Sequence, residues 1–235
     1  MTKGIVYYSD CRPDRGILQA SRDSIARLGL PIVAVTLQPI DWPGATCLVL
    51  EQARGYLTMF RQILAGLEAL TADVAFLCEH DVLYHPSHFE FNPPRPDCYF
   101  YDLRWIKVEV PGGRALHYRA KQTAFLCACR ALLIQHYRRR VALCEEFGFS
   151  RRMGFEPGSH QRQERVDDVP SACWYAPCPS LDIRHAHNLT QSRWSQNAFR
   201  DQSTCDDWRV YPPDVALPGW GPTTPLTLAS ILDEA

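Results

Sequence analysis

Two carboxylates and an imidazole follow directly on a short apolar run in this sequence. Residues 74–78 are apolar, and Glu79, His80 and Asp81 come immediately after them. A run of this length is typical of a buried parallel strand rather than a helix. In open α/β sheets, ligands bind outside the carboxyl ends of the strands. We therefore expect a functional site at this point of the sheet.

The spacing of Glu79 and Asp81 suits a divalent cation. The two residues are two positions apart, so in an extended backbone both carboxylates leave on the same face. Carboxylate oxygens are donors that suit Mg²⁺ or Mn²⁺, and such an ion can in turn hold a diphosphate. The alternative interpretation is a strand end whose acids simply face water.

A glycine-bracketed loop supplies a third acid. Glu156 lies between Gly154 and Gly158, and loops held by a rigid scaffold are where catalytic groups tend to sit. Partial burial would raise the pKa of this carboxyl group and let it act as a general base. A solvated turn acid is the alternative.

Two histidines come later in the chain. His185 and His187 follow a possible short strand and offer two imidazoles on one face. A histidine there could complete the metal shell begun by Asp81, while Arg184 or Arg193 could meet phosphate oxygens. A structural role is the alternative for each histidine.

The first part of the chain alternates strands and helices. Apolar runs and helical spacing predict strands over residues 5–8, 31–37, 46–50 and 74–81, and helices over residues 17–28 and 56–70. This alternation predicts an α/β fold with a mostly parallel sheet and helices on both faces.

The second part is less regular. We expect a strand over residues 98–101, a hairpin of 105–110 with 115–118, and a helix over 123–144 with a break inside it. From residue 148 onward proline, glycine and polar residues dominate, so regular structure should thin out.

Composition is that of an ordinary globular protein. The chain has 235 residues, of which 46% are hydrophobic and 22% charged, enough for one large domain or two small ones. It has no apolar run of about 18 residues and no signal-peptide pattern at its start. We therefore expect a cytoplasmic protein without membrane partners.

The ten cysteines predict neither disulfides nor a structural zinc site. A chain without an export signal meets a reducing compartment. The close spacings, Cys127-x-Cys129 and Cys173-x₄-Cys178, include no C-x-x-C pair. Most of these residues are better interpreted as small buried apolar groups.

Positive charge concentrates in residues 104–140. This stretch has nine Lys and Arg residues against Glu109 alone, although the whole chain carries −1. Trp105, Tyr118, Phe125 and Tyr137 interleave with the cations. A basic, aromatic surface suits a nucleic acid, whose phosphates take the charge while its bases stack on the rings. Alternatively, the cations pair with the acidic remainder of the chain.

These motifs together resemble the nucleotide-sugar glycosyltransferases of the glycosyltransferase-A fold (family-2-like), from Gly4 to about Gly221. The resemblance implies a Rossmann-like, mixed, mostly parallel central sheet flanked by helices, in a single catalytic domain over residues 1–235. A nucleotide-sugar-binding half would span residues 1–101 and an acceptor and catalytic half residues 102–210, before a proline-rich tail over residues 211–235.

Metal-binding roles carry over from this resemblance. Glu79-His80-Asp81 looks like the D-x-D motif of the family with Glu in the first place. Asp81 would then be the firm metal ligand, and Glu79 the looser contact toward ribose or water. His185 resembles the late metal histidine of the family, with His187 in reserve.

Other roles carry over as well. Glu156 resembles the catalytic base of inverting members, although Pro157 follows it where the family has a second acid, which leaves His160 and Asp167 as further candidates. The positions implied for the nucleotide-sugar are Tyr8, Ser9, Asp10, Arg12, Gly55, Thr58, Arg61, Glu79, His80 and Arg193.

The resemblance implies a metal-dependent, inverting transfer of a sugar from a nucleoside-diphosphate sugar, such as a UDP-sugar, to an acceptor hydroxyl, with Mn²⁺ or Mg²⁺ as cofactor. The acceptor could be a 5-hydroxymethylated pyrimidine in DNA, as in phages, which would have to be flipped out of the duplex, or a saccharide or protein hydroxyl. A metal-dependent nucleotidyltransferase or nuclease is the alternative from another class, and a non-catalytic binding module is a third.

Overall fold

The described part of the chain contains two β-sheets and three complete α-helices. The structure is a computed structural model that describes residues 1–160, 165–190, 192–199, 206–223 and 228. Within these residues the strands are β1 (Lys3–Ser9), β2 (Ile32–Thr36), β3 (Ala45–Val49), β4 (Val74–Glu79), β5 (Val82–Leu83), β6 (Tyr99–Asp102), β7 (Trp105–Glu109), β8 (Ala115–His117), β9 (Leu126–Cys129), β10 (Ser171–Trp174), β11 (Ser180–Arg184) and β12 (Arg209–Tyr211). The helices are α1 (Arg15–Ala26), α2 (Tyr56–Ala69) and α3 (Arg130–Phe147).

The larger sheet has seven strands in the order β10-β6-β9-β4-β1-β2-β3. Strands β1 to β4 run parallel, whereas β9 is antiparallel to both of its neighbours. The centre of the sheet is buried on both faces, which explains why β1, β2 and β4 read as continuous apolar runs. The predicted mixed, mostly parallel α/β fold is confirmed.

Helices cover both faces of this sheet. Phe60, Ile63 and Leu67 of α2 join the apolar cluster on one face, which also includes Leu133 of α3. Ile25 of α1 belongs to the cluster on the other face. The helical spacing in the sequence therefore located α1 and α2 to within two residues.

The smaller sheet has five strands in the order β12-β8-β7-β11-β5. Only two residues separate β5 from the end of β4. β11 pairs antiparallel with β5, with Asp182 opposite Val82. On its other side β11 runs parallel to β7, with Asp182 beside Lys107. This sheet therefore carries residues from the second half of the chain to the carboxyl end of β4.

The prediction of one helix over residues 123–144 is wrong in its first turns. Residues Thr123–Phe125 form a short 3₁₀-helix, Leu126–Cys129 form β9, and α3 begins only at Arg130. The segment Leu126–Cys129 is buried between β4 and β6. A short, fully buried apolar run has no periodicity that separates a strand from a helix, and the tertiary pairing decides.

The cysteines and helices add two further facts. The nine cysteines in the described part of the chain are free, and four of them are buried. Cys205 lies outside the described residues, as does most of the tail beyond residue 223. None of the helices that the structure describes is both long and apolar enough to cross a membrane.

We predict that Gly66→Ala destabilises the fold by about 1–3 kcal/mol, the usual cost of overpacking a core. A Cβ atom at this position would lie 2.4 Å from Cγ1 of Val6 and 3.2 Å from Cγ2 of Val35, so α2 would have to move off the sheet. Helix propensity alone favours alanine by about 1 kcal/mol. Urea unfolding measures the change, and a gain in stability would contradict this packing.

Candidate active site

A cavity of about 460 Å³ opens at the carboxyl ends of β1 and β4. This volume is in the usual range for small-molecule sites. It brings together most of the residues that the sequence singled out: Tyr8, Ser9, Asp10, Gly55, Thr58, Glu79, His80, Asp81, Glu156 and Arg193. Residues that are far apart in the chain therefore converge where the fold predicts a ligand.

Three of the described residues form a group that could hold a metal ion. His80, Asp81 and His185 each offer one ligand atom, and these atoms lie within 4.8 Å of one another. Nε2 of His185 lies 3.6 Å from Oδ2 of Asp81. This nitrogen is buried and has no hydrogen-bond partner among the described residues. This nitrogen would fit a cation site once its proton has left, because Nδ1 of the same ring accepts from a backbone N–H and the neutral ring therefore carries its proton on Nε2.

Hydrogen bonds fix the position of His185. Asn188 bridges the group, because its Nδ2 donates to Oδ2 of Asp81 at 2.6 Å and its Oδ1 accepts from the backbone N–H of His185 at 2.7 Å. The backbone N–H of His187 donates to Nδ1 of His185 at 3.2 Å. These contacts leave Nε2 of His185 as the nitrogen that faces Asp81. The ring of His187 is not part of the group, and the residue is exposed.

The surroundings of Asp81 and His80 favour the protonation state in which each side chain can bind a metal ion. Burial by itself would raise the pKa of Asp81, but the imidazole of His185, His80 and Arg184 outweigh it and hold this pKa below its ordinary value. Burial lowers the pKa of His80, so its ring is neutral. Two imidazoles with one carboxylate suit Mn²⁺ better than Mg²⁺, which prefers oxygen ligands alone.

Glu79 lies outside this group, so the expected pair of carboxylate ligands is not what the structure places together. Its Oε1 accepts a hydrogen bond of 2.6 Å from the hydroxyl of Tyr8. Burial, reinforced by the charge of Asp81, raises the pKa of Glu79 to about 8. The two carboxylates do not form a pair of ligands because β4 ends at Glu79. The chain turns at His80 and Asp81, and the alternation of an extended strand stops there.

Glu156 lies in the cavity in a firmly held loop. The carbonyl of Pro157 accepts a hydrogen bond of 2.7 Å from the Tyr101 hydroxyl, and that of Phe155 accepts one of 2.6 Å from the Arg140 guanidinium. The hydroxyl of Thr123 donates to Oε2 of Glu156. Burial raises the pKa of Glu156 above its ordinary value, as a general base near neutral pH requires.

The other candidates for the base are placed elsewhere. His160 is exposed and stacks on Phe155. Asp167 accepts hydrogen bonds from His136 and Tyr99. Neither His160 nor Asp167 lines the cavity, so of these three only Glu156 shares the cavity with His80 and Asp81.

Two residues expected at the nucleotide are not among those that line the cavity. Arg12 is exposed, and its backbone N–H donates to Oδ1 of Asp10 at 3.0 Å. Arg61 forms an ion pair of 2.7 Å with Glu145. The side chain of Arg12 is therefore exposed outside the cavity, and that of Arg61 is engaged by Glu145.

Several lining residues were missed by sequence reasoning. Arg54 forms an ion pair with Asp10 and donates to the carbonyl of His187 at 2.6 Å, which ties two walls of the cavity together. Lys107 and Asp182 lie side by side on β7 and β11. The only feature of the sequence that marks Lys107 and Asp182 is a charge at an alternate position of an otherwise apolar strand. Nothing in the sequence indicates that these two residues are neighbours.

The expected nucleic-acid surface over residues 104–140 changes in the structure. The four aromatic residues are at most 7% exposed, so the interpretation of Trp105, Tyr118, Phe125 and Tyr137 as stacking groups for bases is wrong. The physical reason is that the stretch passes through the core in β7, β8, β9 and α3 rather than following the surface. Lys107 and Arg140 are buried too, and Arg138 pairs with Glu68 at 2.7 Å.

Comparison with known proteins gives distant structural similarities alone. No family model and no curated protein matches the sequence. A glycosyltransferase involved in the glycosylation of the major capsid of PBCV-1 is similar, with a TM-score of 0.38 and 10% identity over 63% of this chain and 69% of that one. The apo-form glycosyltransferase GlyE of Streptococcus pneumoniae TIGR4 is similar with a TM-score of 0.38 and 12% identity, over 73% of this chain but only 45% of GlyE. Values this low do not bear on what the present chain does.

We predict that this protein binds Mn²⁺ more tightly than Mg²⁺, and that Asp81→Ala abolishes this binding. His185→Ala should weaken Mn²⁺ binding by at least about tenfold, since even residues behind the ligands of a metal cost 10–100-fold. Isothermal titration calorimetry measures both effects. His187→Ala is the matched control and should bind Mn²⁺ like the unaltered protein. Equal losses in His185→Ala and His187→Ala would rule out this ligand set.

Proposed function

We propose that this protein is a metal-dependent glycosyltransferase that moves a sugar from a nucleoside-diphosphate sugar to an acceptor hydroxyl. One observation carries the proposal. A cavity at the carboxyl edge of a mostly parallel sheet is lined by His80 and Asp81, two of the three residues of the potential cation site that His185 completes, and also by the carboxyl group of Glu156. Transfer of a sugar from a diphosphate needs both, a cation for the departing diphosphate and a base for the acceptor.

The walls of the cavity suit the donor. Gly55 is the N-cap of α2 and lines the cavity, and no side chain caps the backbone N–H groups of this helix end. Such N–H groups, together with the positive end of the helix dipole, favour an anion such as a diphosphate. Arg184 also lines the cavity and offers a guanidinium to phosphate oxygens. Tyr8, Ser9 and Asp10 would then lie toward the nucleoside.

The chemistry divides between the cation and the chain. When bound by His80, Asp81 and His185, the cation offsets the negative charge that grows on the departing diphosphate. Glu156 accepts the proton of the acceptor hydroxyl, whose oxygen then bonds to the anomeric carbon while the bond from that carbon to the diphosphate breaks. A single displacement from the opposite side inverts the anomeric configuration.

The alternative of a nucleotidyltransferase or nuclease has less support. Two-metal chemistry needs several carboxylates that converge on the ions. Among the described residues only Asp81 supplies a carboxylate to the potential metal group. Glu79, the nearest further acid in sequence, is held by Tyr8 and has a pKa raised to about 8.

The acceptor is proposed only as a hydroxyl compound. A saccharide or a protein hydroxyl fits an open cavity of this size. A hydroxymethylated base in DNA stays a prediction, and it loses part of its support, because the aromatic residues expected to stack on bases belong to the core.

We predict that the purified protein with Mn²⁺ slowly hydrolyses at least one member of a panel of nucleotide-sugars, because water can take the place of the acceptor hydroxyl. Asp81→Ala and excess chelator should each abolish the release of nucleoside diphosphate, measured by a coupled assay. Full release by Asp81→Ala in chelator would refute the proposal. Release of pyrophosphate from nucleoside triphosphates instead would favour the nucleotidyltransferase.

We predict that Glu156→Gln lowers kcat for transfer by about 10²–10⁴-fold, the usual contribution of a general base, without weakening donor binding. The base must be unprotonated, so the rate of the unaltered protein should be lost as the pH falls through the raised pKa of Glu156 and kept above it. A pH profile of kcat/KM measures this limb. His160→Ala is the control and should keep both the rate and the limb; loss in this variant instead would move the base to His160.

A further inference from the structure

The wall of the cavity formed by the smaller sheet contains a buried lysine that the mechanism above does not use. Lys107 is only 4% exposed and lines the cavity. Its Nζ donates a hydrogen bond of 2.8 Å to the hydroxyl of Tyr118. The rings of Tyr118 and Trp194 lie 4.8 Å and 5.9 Å from Nζ. Cation–π attraction to these rings partly compensates for the hydration that the ammonium group loses on burial.

No carboxylate in the described residues forms an ion pair with this amine. Asp182 lies beside Lys107 in the register of β11 and β7, but Oδ1 of Asp182 binds the guanidinium of Arg184 at 3.3 Å. Burial lowers the pKa of Lys107 to about 8, although the charge of Asp182 opposes this effect. A buried charge of this kind lowers stability unless a group of opposite charge neutralises it. Because Lys107 lines the cavity, a group bound there could do so.

Three positive groups, Lys107, Arg184 and Arg193, line the same cavity. Arg184 lines the same cavity as Asp81 and Lys107, and its guanidinium forms an ion pair of 3.3 Å with Asp182, the neighbour of Lys107 on β11. Neighbouring strands are about 4.8 Å apart, so Lys107 lies about 10 Å from the β5 residue after Asp81. The diphosphate at the cation would be met by Arg184, and Lys107 would remain for another group.

We propose that Lys107, with Arg193, binds a second anionic group of the substrates, a carboxylate or phosphate monoester on the transferred sugar or on the acceptor. This inference rests on the proposed function and specifies it further. An anion here would neutralise the buried ammonium group and accept a charge-assisted hydrogen bond from it. The protein would therefore prefer acidic sugars, such as uronic acids or sugar phosphates, over neutral ones.

The test compares acidic and neutral ligands in the presence of Mn²⁺. Calorimetry with UDP, UDP-glucose and UDP-glucuronic acid examines the donor. Rates of UDP release with glucose, glucuronic acid and glucose 6-phosphate as acceptors examine the acceptor. We expect a preference of at least about tenfold for the acidic ligand in one of these two arms, because a hydrogen bond to a charged group contributes about 1.5–3 kcal/mol.

Lys107→Met should remove this preference and leave the affinity for UDP unchanged. Lys121→Met is the matched control, since Lys121 lines the same cavity but donates to the hydroxyl of Ser171 at 2.7 Å; it should keep the preference. A thermal unfolding midpoint equal to or above that of the unaltered protein is expected for Lys107→Met, because the variant loses an uncompensated buried charge. If that variant does not fold, Tyr118→Phe, which removes the partner of Nζ, should reduce the preference instead.

Each other outcome has a separate meaning. If UDP and UDP-glucose bind but no acidic ligand is preferred in either arm, the inference about Lys107 fails and the glycosyltransferase proposal stands. If Lys107→Met weakens UDP itself, the lysine holds the diphosphate and the inference fails as well. If no nucleoside diphosphate and no nucleotide-sugar of the panel binds with Mn²⁺, the proposed function fails, and the inference falls with it.

Discussion

The antiparallel pairing of β5 with β11 is the contact on which the candidate site depends. The backbone N–H of Ile183 donates to the carbonyl of Asp81 at 2.8 Å, and Leu181 lies opposite Leu83. Through this pairing His185 reaches Asp81, and Asn188 binds a carboxylate 107 residues away in the sequence. Without it β4 would end in acids that face water. A two-residue strand is therefore sufficient to build the metal group, because it fixes the register of β11.

The pKa values of the carboxyl groups in this cavity are shifted in opposite directions by their surroundings. Imidazoles and a guanidinium hold the pKa of Asp81 down, whereas burial raises the pKa values of Glu79 and Glu156. Groups of one chemical type whose pKa values are driven apart are suited to different tasks. A firmly ionised Asp81 suits a cation, and a carboxyl group whose pKa is raised suits proton transfer. Lys107 adds a buried positive charge to the same cavity, and electrostatic interactions are strong where water is partly excluded.

The errors of sequence reasoning have a common physical origin. Residues 126–129 and the aromatic residues of the stretch 104–140 were assigned from composition and local pattern. Burial is not local: Leu126 is in the core because β9 inserts between β4 and β6, and Trp105 is in the core because β7 lies inside the smaller sheet. A basic and aromatic composition is equally compatible with a binding surface and with core strands that carry scattered cations.

The sequence by itself determined the alternation of strands and helices, the mostly parallel sheet, and the acidic end of β4 as the place to look, because each of these follows from periodicity and from local runs. It also indicated Glu156 and His185 by residue type. Tertiary structure alone decided that His80 rather than Glu79 joins Asp81, that His185 rather than His187 faces it, and that Lys107 is buried beside the same cavity. These choices depend on strand register and on where a turn begins, and contacts across more than a hundred residues set both.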